Sequence, residues 1–432
     1  IMAITANQQP QSFHPVYNPY VFVLSSDNSG NFNFKINFVV VDSTNSSNPV
    51  TVATLQNPTN TDGYAVFDLS RVIRDYITDD FSLGVTLASN CGNSIKRFTF
   101  YAQEVYSASA SGTPAATGTI YEYGAVADTT SKYLWNAALP FDEFATYQKN
   151  NYLLKYGTYT ANKWLTNGPI DTGINMSSNQ NAYGYLLCEN LDSVNANESL
   201  VQSTIIKTYN SAGSLLGTYE VDIDFAQSTT NLNGFMIRIP VGTYNIAQIG
   251  ALDFISGSQP IITSNVSYYT VHGKHPTFGQ TYGFRVNIVD YCNSPQMFRL
   301  HWLNRLGGFD CFNFDRYYTE TSQIERKFYK KPYGNVTSGS WSYAVSDRNN
   351  VNMINTSRKQ FVIQTNWISE TEAEWLEELM TSPVVYLEES ATVLKAVNII
   401  DTSYETKYRQ KDKVFNLSLT IELTYDYKSQ TY

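Results

Sequence analysis

The sequence predicts a mainly β protein, with two tandem β-sandwich domains followed by an α+β C-terminal domain that carries one amphipathic helix. Three observations predict it. Tyr (33) and Phe (23) far exceed their usual share while Ala- and Leu-rich helical blocks are missing. Apolar residues alternate with polar ones over short segments separated by Asn, Ser and Gly turns. The clearest helix start is a capping box close to the C-terminus. A chain of 432 residues has room for roughly two to four domains of about 150 residues, each with its own core. The domains are expected at 1–125, 126–275 and 276–432.

In the first domain, His14-Pro15 to Asn18-Pro19 reads as an extended edge segment. Phe32, Phe34, Ile36, Phe38 and Val40 then alternate with Asn31, Asn33, Lys35 and Asn37, which predicts a strand with an aromatic core face. The run from Gly63 to Ser70 passes from a strand into a short helix. Asp68 or Ser70 is available as its cap, and Leu69, Val72, Ile73, Tyr76 and Ile77 fall at helical spacing. Arg97 to Tyr106 returns to strand. Ser107 to Gly118, SASASGTPAATG, is the segment most like a loop or linker by composition.

In the second domain, strands are expected from Tyr183 to Cys188, from Gln202 to Tyr209, from Leu215 to Phe225 and from Gly234 to Val241. Asn210 to Gly213 forms a turn between the second and third, and Trp164 to Pro169 forms another. Strands at this spacing suit a sandwich better than a parallel sheet with crossover helices.

The third domain opens on a hairpin. Phe298, Leu300 and Trp302 alternate with Arg299, His301 and Leu303, Gly307-Gly308 turns the chain, and Phe312 and Phe314 share a face of the return arm. Ser369-Glu370-Thr371-Glu372 caps a helix through Trp375, Leu376, Leu379 and Met380 that stops before Pro383. Phe415, Leu417, Leu419, Ile421, Leu423, Tyr425 and Tyr427 then alternate with polar residues without a break, predicting one long final strand.

With 29 basic against 38 acidic residues, the formal net charge of -9 argues against a chain-wide nucleic-acid clamp working by counterion release. The N-terminal IMAITANQQPQSF has neither the cationic segment nor the apolar run of a signal peptide, so none is expected. No stretch approaches 18 apolar residues, so no membrane span is expected. Cys91, Cys188, Cys292 and Cys311 form no CxxC pair, and buried thiols in a reducing compartment are the expectation.

Candidate chemistry is sparse. His272-Gly273-Lys274-His275 with Cys292 could approach a zinc set, yet it lacks the helical spacing and the glutamate of HExxH, and polar loop histidines are expected instead. His14 and His301 have no partner visible in the sequence. Asp222 and Asp224 would share one face of a strand, where carboxylates could hold calcium or act on a glycosidic bond; an ordinary polar surface explains them as well. There is no GxSxG, no phosphate-binding loop and no GxGxxG leading into a helix. No catalytic, metal or cofactor residue is therefore assigned, and no enzyme activity is expected.

Charge and aromatic patterns instead point to assembly. Arg326-Lys327-Phe328-Tyr329-Lys330-Lys331 interleaves basic and aromatic side chains, a pattern that suits a single nucleic-acid strand, a solvated strand or an acidic neighbour. The helix offers such a neighbour: Glu370, Glu372, Glu374, Glu377 and Glu378 lie without a compensating base, the last two where the helix dipole disfavours them. A second copy could bring the two patches together in a head-to-tail ring. Tyr317-Tyr318, Tyr268-Tyr269 and Tyr17 with Tyr20 are candidates for interface anchors or for stacking on sugar rings. The candidate interface set is Glu370, Glu374, Glu377, Glu378, Arg326, Lys327, Lys330, Lys331, Tyr317 and Tyr318.

An ordered set of segments carries a resemblance: NPYVFVLSS, GYAVFDLSRVIRDYI, KWLTNGP, HWLNRLGGFDCFNF, SETEAEWLEELMTSPVVYL and IIDTSYETKYRQKDKVFNLSLTIELTYDY. Together they resemble tail and neck structural proteins of crAss-like and related tailed bacteriophages of gut Bacteroidota, over most of the chain. The resemblance implies a multi-copy ring component of the virion tail, assembled in the host cytoplasm. Its implied partners are copies of itself, other tail or neck proteins and, in passing, genomic DNA. The alternative is a receptor-recognising tail protein that holds glycans through tyrosine and asparagine. A mildly acidic ring would repel DNA in its lumen and favour slippage over sticking.

Overall fold

The computed structural model describes residues 4–124, 131–189, 200–224, 234–290, 297–401 and 414–428. Cys292 and Phe225, both named above, lie outside them. Strands take 50% of the described residues and helices 9%, so the cores are made by sheets facing one another.

The chain divides into two compact units, Ile1–Asp290 with Leu303–Asp310, and Tyr291–Trp302 with Cys311–Tyr432. Within the first unit the aromatic strand forms as its alternation requires. Phe32–Asp42 buries Phe34, Ile36, Phe38 and Val40, while Phe32 at the mouth is exposed. It belongs to a six-stranded sheet with Phe13–Pro15, Lys132–Trp135, Ile95–Ser107, Val50–Asn57 and Ala115–Tyr123. A three-stranded sheet of Ile4–Gln8, Val21–Ser26 and Tyr64–Asp68 covers its inner face. Phe38 meets Phe22 at 5.1 Å and Phe67 at 4.8 Å between ring centroids, so the two sheets interlock through aromatics.

After this sandwich two features of the strand pairing bear on the sequence expectations. Ser107 to Gly118 is no linker. Ile95–Ser107 and Ala115–Tyr123 pair antiparallel across it, and Gly112 N donates to Ser109 O at 3.0 Å to close the turn. Small polar residues serve tight turns and linkers alike, so composition left both open, and the chain forms the loop between Ser107 and Ala115. Strand pairing also runs across the stretch at which the sequence expects a boundary. Lys132–Trp135 pairs with Ile95–Ser107 of the first sheet, and Ser89–Asn90 pairs with Gly234–Pro240 of the next, so the two stretches share sheets.

That next sheet has four strands, with Tyr183–Glu189 and Gly234–Pro240 at its centre and every residue of both buried. On one side Gly234 is so close to the first sheet that a Cβ there would stand 2.5 Å from Phe13. On the other lies a seven-stranded sheet that contains Ser203–Tyr209, Leu215–Val221 and Tyr268–His275. Tyr269 of that sheet donates its hydroxyl to Val241 O at 2.7 Å. Layers on both faces explain why these two strands read as continuous apolar runs rather than alternating ones.

The second unit is built on a sheet ordered Phe309–Phe314, Phe298–Leu303, Val385–Ser390, Val393–Ile399, Ser418–Leu423, Asn350–Gln364, Tyr318–Lys330. The helix, Glu370–Thr381, starts as the sequence says. Ser369 Oγ accepts from Glu372 N at 3.2 Å, and Glu372 Oε2 accepts from Ser369 N at 2.8 Å. Its buried face is Ala373, Trp375, Leu376 and Leu379, and Trp375 rests on Trp302 with centroids 5.2 Å apart.

The final strand is interrupted. Val414–Phe415 pairs with Ile368–Ser369, and Leu417 exchanges bonds with Thr365, donating to its Oγ1 at 2.8 Å and accepting from its N at 2.9 Å. Only Ser418–Leu423 continues in the main ladder, and Tyr427–Lys428 pairs separately. Alternation survives such breaks because each piece remains extended.

Candidate subunit interface

The edge strand Tyr318–Lys330 pairs along its whole length with Asn350–Gln364, from Tyr318 opposite Ile363 to Lys330 opposite Asn350. Thr319, Thr321, Ile324, Phe328 and Tyr329 are residue types that suit this extended backbone. Thirteen residues span about 44 Å at 3.4 Å per residue. Ser418–Leu423 flanks the root, against Gln360 to Gln364, and Tyr427–Lys428 flanks Ser357 and Thr356. Beyond Thr356, among the described residues, the ribbon consists of these two strands. The chain between them forms a smaller hairpin, Asn335–Thr337 against Ser340–Ser342, turned by Ser338 and Gly339 with φ of 52° and 81°.

This ribbon exposes side chains that strands usually bury. After Tyr318 every residue of the edge strand is exposed. Phe328 keeps 56% of its surface and Trp341 52%; Ile324, Tyr329, Tyr333, Val336, Tyr343 and Met353 are exposed as well. Val351, opposite Tyr329, is buried. Period two places Ile324, Arg326, Phe328 and Lys330 on one face, across from Ser357, Asn355, Asn352 and Asn350, with a register shift between Lys327 and Phe328 that passes over Met353 of the partner strand. Glu325, Lys327 and Tyr329 take the other, where Lys327 Nζ lies 3.5 Å from Glu325 Oε1. The basic patch of the sequence is thus split between two faces, with Lys331 just past the strand end. The aromatic and basic residues form an alternating apolar and cationic ladder instead of one cluster.

The acidic helix face is more uneven than its sequence. Glu374 and Glu377 are exposed, Glu370 and Glu378 are half-buried, and Glu372 is engaged in the cap. Trp367, exposed just before the cap, lies under Arg316 at 5.6 Å. Of the predicted tyrosine pair, Tyr317 is exposed and its hydroxyl accepts from Gln364 Nε2 at 3.0 Å. Tyr318 instead packs its ring against Phe298 at 4.9 Å and Phe361 at 6.4 Å. Tyr317 precedes the strand and stays in solvent while Tyr318 packs on the sheet, so the two do not form one anchor.

A buried charge cluster in the same sheet went unread in the sequence. Arg299 and His301, which alternate with the apolar residues of this arm, are 3% and 1% exposed. Glu388 on the adjacent strand takes both: its Oε2 is 2.6 Å from His301 Nε2 and 3.1 Å from Arg299 Nε. The guanidinium also donates to Asn313 Oδ1 at 2.7 Å and Cys311 Sγ at 2.8 Å. Burial, and secondarily the Arg299 charge, hold the His301 pKa below its ordinary value, against the Glu388 hydrogen bond that raises it. The imidazole is therefore neutral at pH 7, with its proton on Nε2 donated to the carboxylate. The only local hint was a basic residue and a histidine inside the otherwise apolar run FRLHWL. A cavity of about 250 Å³ opens beside Glu388, with Phe298, Phe361 and Leu423 among its walls. Ion pairs line it, Lys359 with Glu320 at 2.5 Å and Lys395 with Glu389.

The remaining candidates separate. His272 and His275 lie on the strand Tyr268–His275, not in a loop, and an odd spacing on a strand turns them to opposite faces. His272 bonds Thr281 O at 2.8 Å and Thr270 Oγ1 at 2.9 Å, and His275 Nδ1 accepts from Thr277 N at 3.2 Å. Asp222 and Asp224 lie just past the strand Leu215–Val221 and are exposed. Cys91, Cys188 and Cys311 are buried thiols, and burial pushes Cys91 up to about 12, away from thiolate chemistry. Among the described residues no group of three His, Cys, Asp or Glu is placed to hold a metal ion. No helix among them is long and apolar enough to cross a membrane. No family model matches the chain, and no curated protein matches it in sequence.

Proposed function

We propose that this chain is a multi-copy structural component of a tailed-phage virion, a ring protein of the tail or neck that forms part of the DNA ejection conduit or its outer sleeve. The observation that carries this reading is the exposed ribbon of Tyr318–Lys330 and Asn350–Gln364, with Ile324, Phe328, Trp341 and Tyr343 open to solvent. A two-stranded ribbon has no core of its own, and exposed aromatics on it gain stability when a neighbour covers them. The resemblance of the ordered sequence segments to phage tail and neck proteins supplies the setting. On this reading the chain has no catalytic role, its partners are its own copies and adjoining tail proteins, and its place is the virion.

The mass of the purified protein across a range of concentrations, by native mass spectrometry and light scattering, tests it. A closed ring of many copies is expected. A monomer at every concentration overturns the reading. A compact trimer overturns it in favour of a receptor-binding, glycan-holding tail protein.

A further inference from the structure

Two largely exposed surfaces of the second unit complement each other, and no ion pair joins them among the described residues. The first is the ribbon face of Ile324, Arg326, Phe328 and Lys330. The second is the outer stripe of the helix Glu370–Thr381, where Glu370, Glu374 and Glu377 recur at helical spacing, with exposed Trp367 just before it. Among the described residues none of these five charges is in an ion pair. Arg326 and Lys330 lie about 14 Å apart along an extended strand. Glu370 and Glu377 lie about 10 Å apart along a helix. The difference is within reach of two long, flexible basic side chains. Phe328 stands between the two cations, and Trp367 is an aromatic of matching kind at the end of the acidic stripe.

We propose that the Ile324–Arg326–Phe328–Lys330 face of one copy docks on the Trp367–Glu370–Glu374–Glu377 stripe of the next, a head-to-tail contact. This deepens the ring reading and rests on it. The two surfaces differ, so each copy offers one and receives the other. Repetition of such a heterologous contact closes into a ring when the rotation allows, and otherwise continues as a filament. The charges set register and partner choice, and Phe328 with Trp367 supplies the desolvated centre.

Charge exchange in the full-length chain tests the proposal. The double variants Arg326→Glu with Lys330→Glu, and Glu374→Lys with Glu377→Lys, change exposed side chains only and are expected to keep the wild-type circular dichroism. Each is expected to weaken self-association roughly tenfold or more, and the quadruple variant is expected to restore it. Wild-type association is expected to weaken as salt rises. If the wild type assembles and either double variant assembles equally well, this contact is refuted while the multi-copy reading stands. If both doubles fail and the quadruple does not recover, the two surfaces serve assembly without touching each other, and the pairing is refuted. A wild type that stays monomeric removes the ring reading and this contact together.

Discussion

One carboxylate oxygen, Oε2 of Glu388, receives His301 Nε2 at 2.6 Å, and that bond crosses two neighbouring strands of the C-terminal sheet below its surface. Arg299 Nε reaches the same oxygen at 3.1 Å. One negative charge therefore serves a permanent cation and a neutral imidazole, and the guanidinium turns its remaining donors to Asn313 and Cys311. The arrangement fixes which residues of Phe298–Leu303 and Val385–Ser390 stand opposite one another, since a slip of one residue would put Glu388 on the opposite face from Arg299 and His301.

Glu388→Ala is expected to destabilise the C-terminal unit by roughly 3–5 kcal/mol, because it leaves Arg299 buried without its counter-charge. Glu388→Gln keeps an acceptor for His301 and is expected to cost less. Urea denaturation followed by tryptophan fluorescence reads both. Equal midpoints for Glu388→Ala and the wild type would mean that water reaches Arg299 and that the cluster contributes nothing net.

Acid sensitivity follows from a histidine of the first unit. His14 is buried among the rings of Tyr20, Phe144 and Tyr147, with centroids 4.9, 5.4 and 5.8 Å away, and its Nδ1 bonds Pro15 O at 2.9 Å. Burial lowers its pKa to about 4. The unfolded chain takes up the proton near 6.5 and the folded chain only near 4, so stability is lost as pH falls through that window. The loss approaches about 3 kcal/mol at its acid end. His301 is shifted in the same direction, also chiefly by burial, and adds to the loss. His14→Phe should flatten the dependence of the denaturation midpoint between pH 7 and pH 5. A slope unchanged by that substitution would assign the loss to other groups.

Local signals were legible wherever local chemistry decides the structure. The aromatic strand, the Ser369–Glu372 cap, the Asn210 to Gly213 turn and the Gly307 turn each depend on residues a few positions apart. Long-range pairing was not. Nothing near Lys132–Trp135 announces that it joins the first sheet, and Tyr183–Glu189 is buried on both faces, so it carries no alternation to orient it. Glu388 is 87 positions from His301, and only the sheet brings the two together. The interface candidates fared alike: the sequence named the basic and acidic residues, while the split of Arg326 and Lys330 from Lys327 needed the strand register.

The capped helix is held by its apolar face more than by its cap. Trp375 is 2% exposed and lies between Trp302 at 5.2 Å and Phe312 at 6.0 Å, and Leu376 is wholly buried. Trp375→Ala is expected to cost roughly 3–5 kcal/mol and Leu376→Ala roughly 2–5. Ser369→Ala, which removes one side of the capping box, is expected to cost about 1 kcal/mol. The ratio is the informative quantity. Comparable losses from Ser369→Ala and Trp375→Ala in one denaturation series would show that helix initiation, not packing, sets the stability of this element.

The turn of the opening hairpin gives the most position-specific expectation. Asn304 organises it, its Oδ1 accepting from Leu306 N and Gly308 N, both at 3.0 Å. Trp135 donates its indole N–H to Leu306 O at 3.1 Å, which holds the turn against the first unit's own backbone. Gly307 has φ of 90°, and a Cβ there would stand 2.5 Å from Asn136 O and 3.2 Å from the Trp135 ring. Gly307→Ala therefore meets two penalties at once, a backbone conformation that L residues avoid and a clash with a carbonyl that cannot rotate away. Together they amount to roughly 2–5 kcal/mol. At Gly308 a Cβ would stand 2.9 Å from the Tyr185 ring and 3.0 Å from Leu165 O, without the unfavourable φ. Gly308→Ala is expected to cost less, by about the 1–2 kcal/mol of the conformational part. Thermal or urea midpoints of the two variants separate the causes: equal losses would show that crowding alone governs the turn, and a larger loss at Gly307 that its backbone conformation does too.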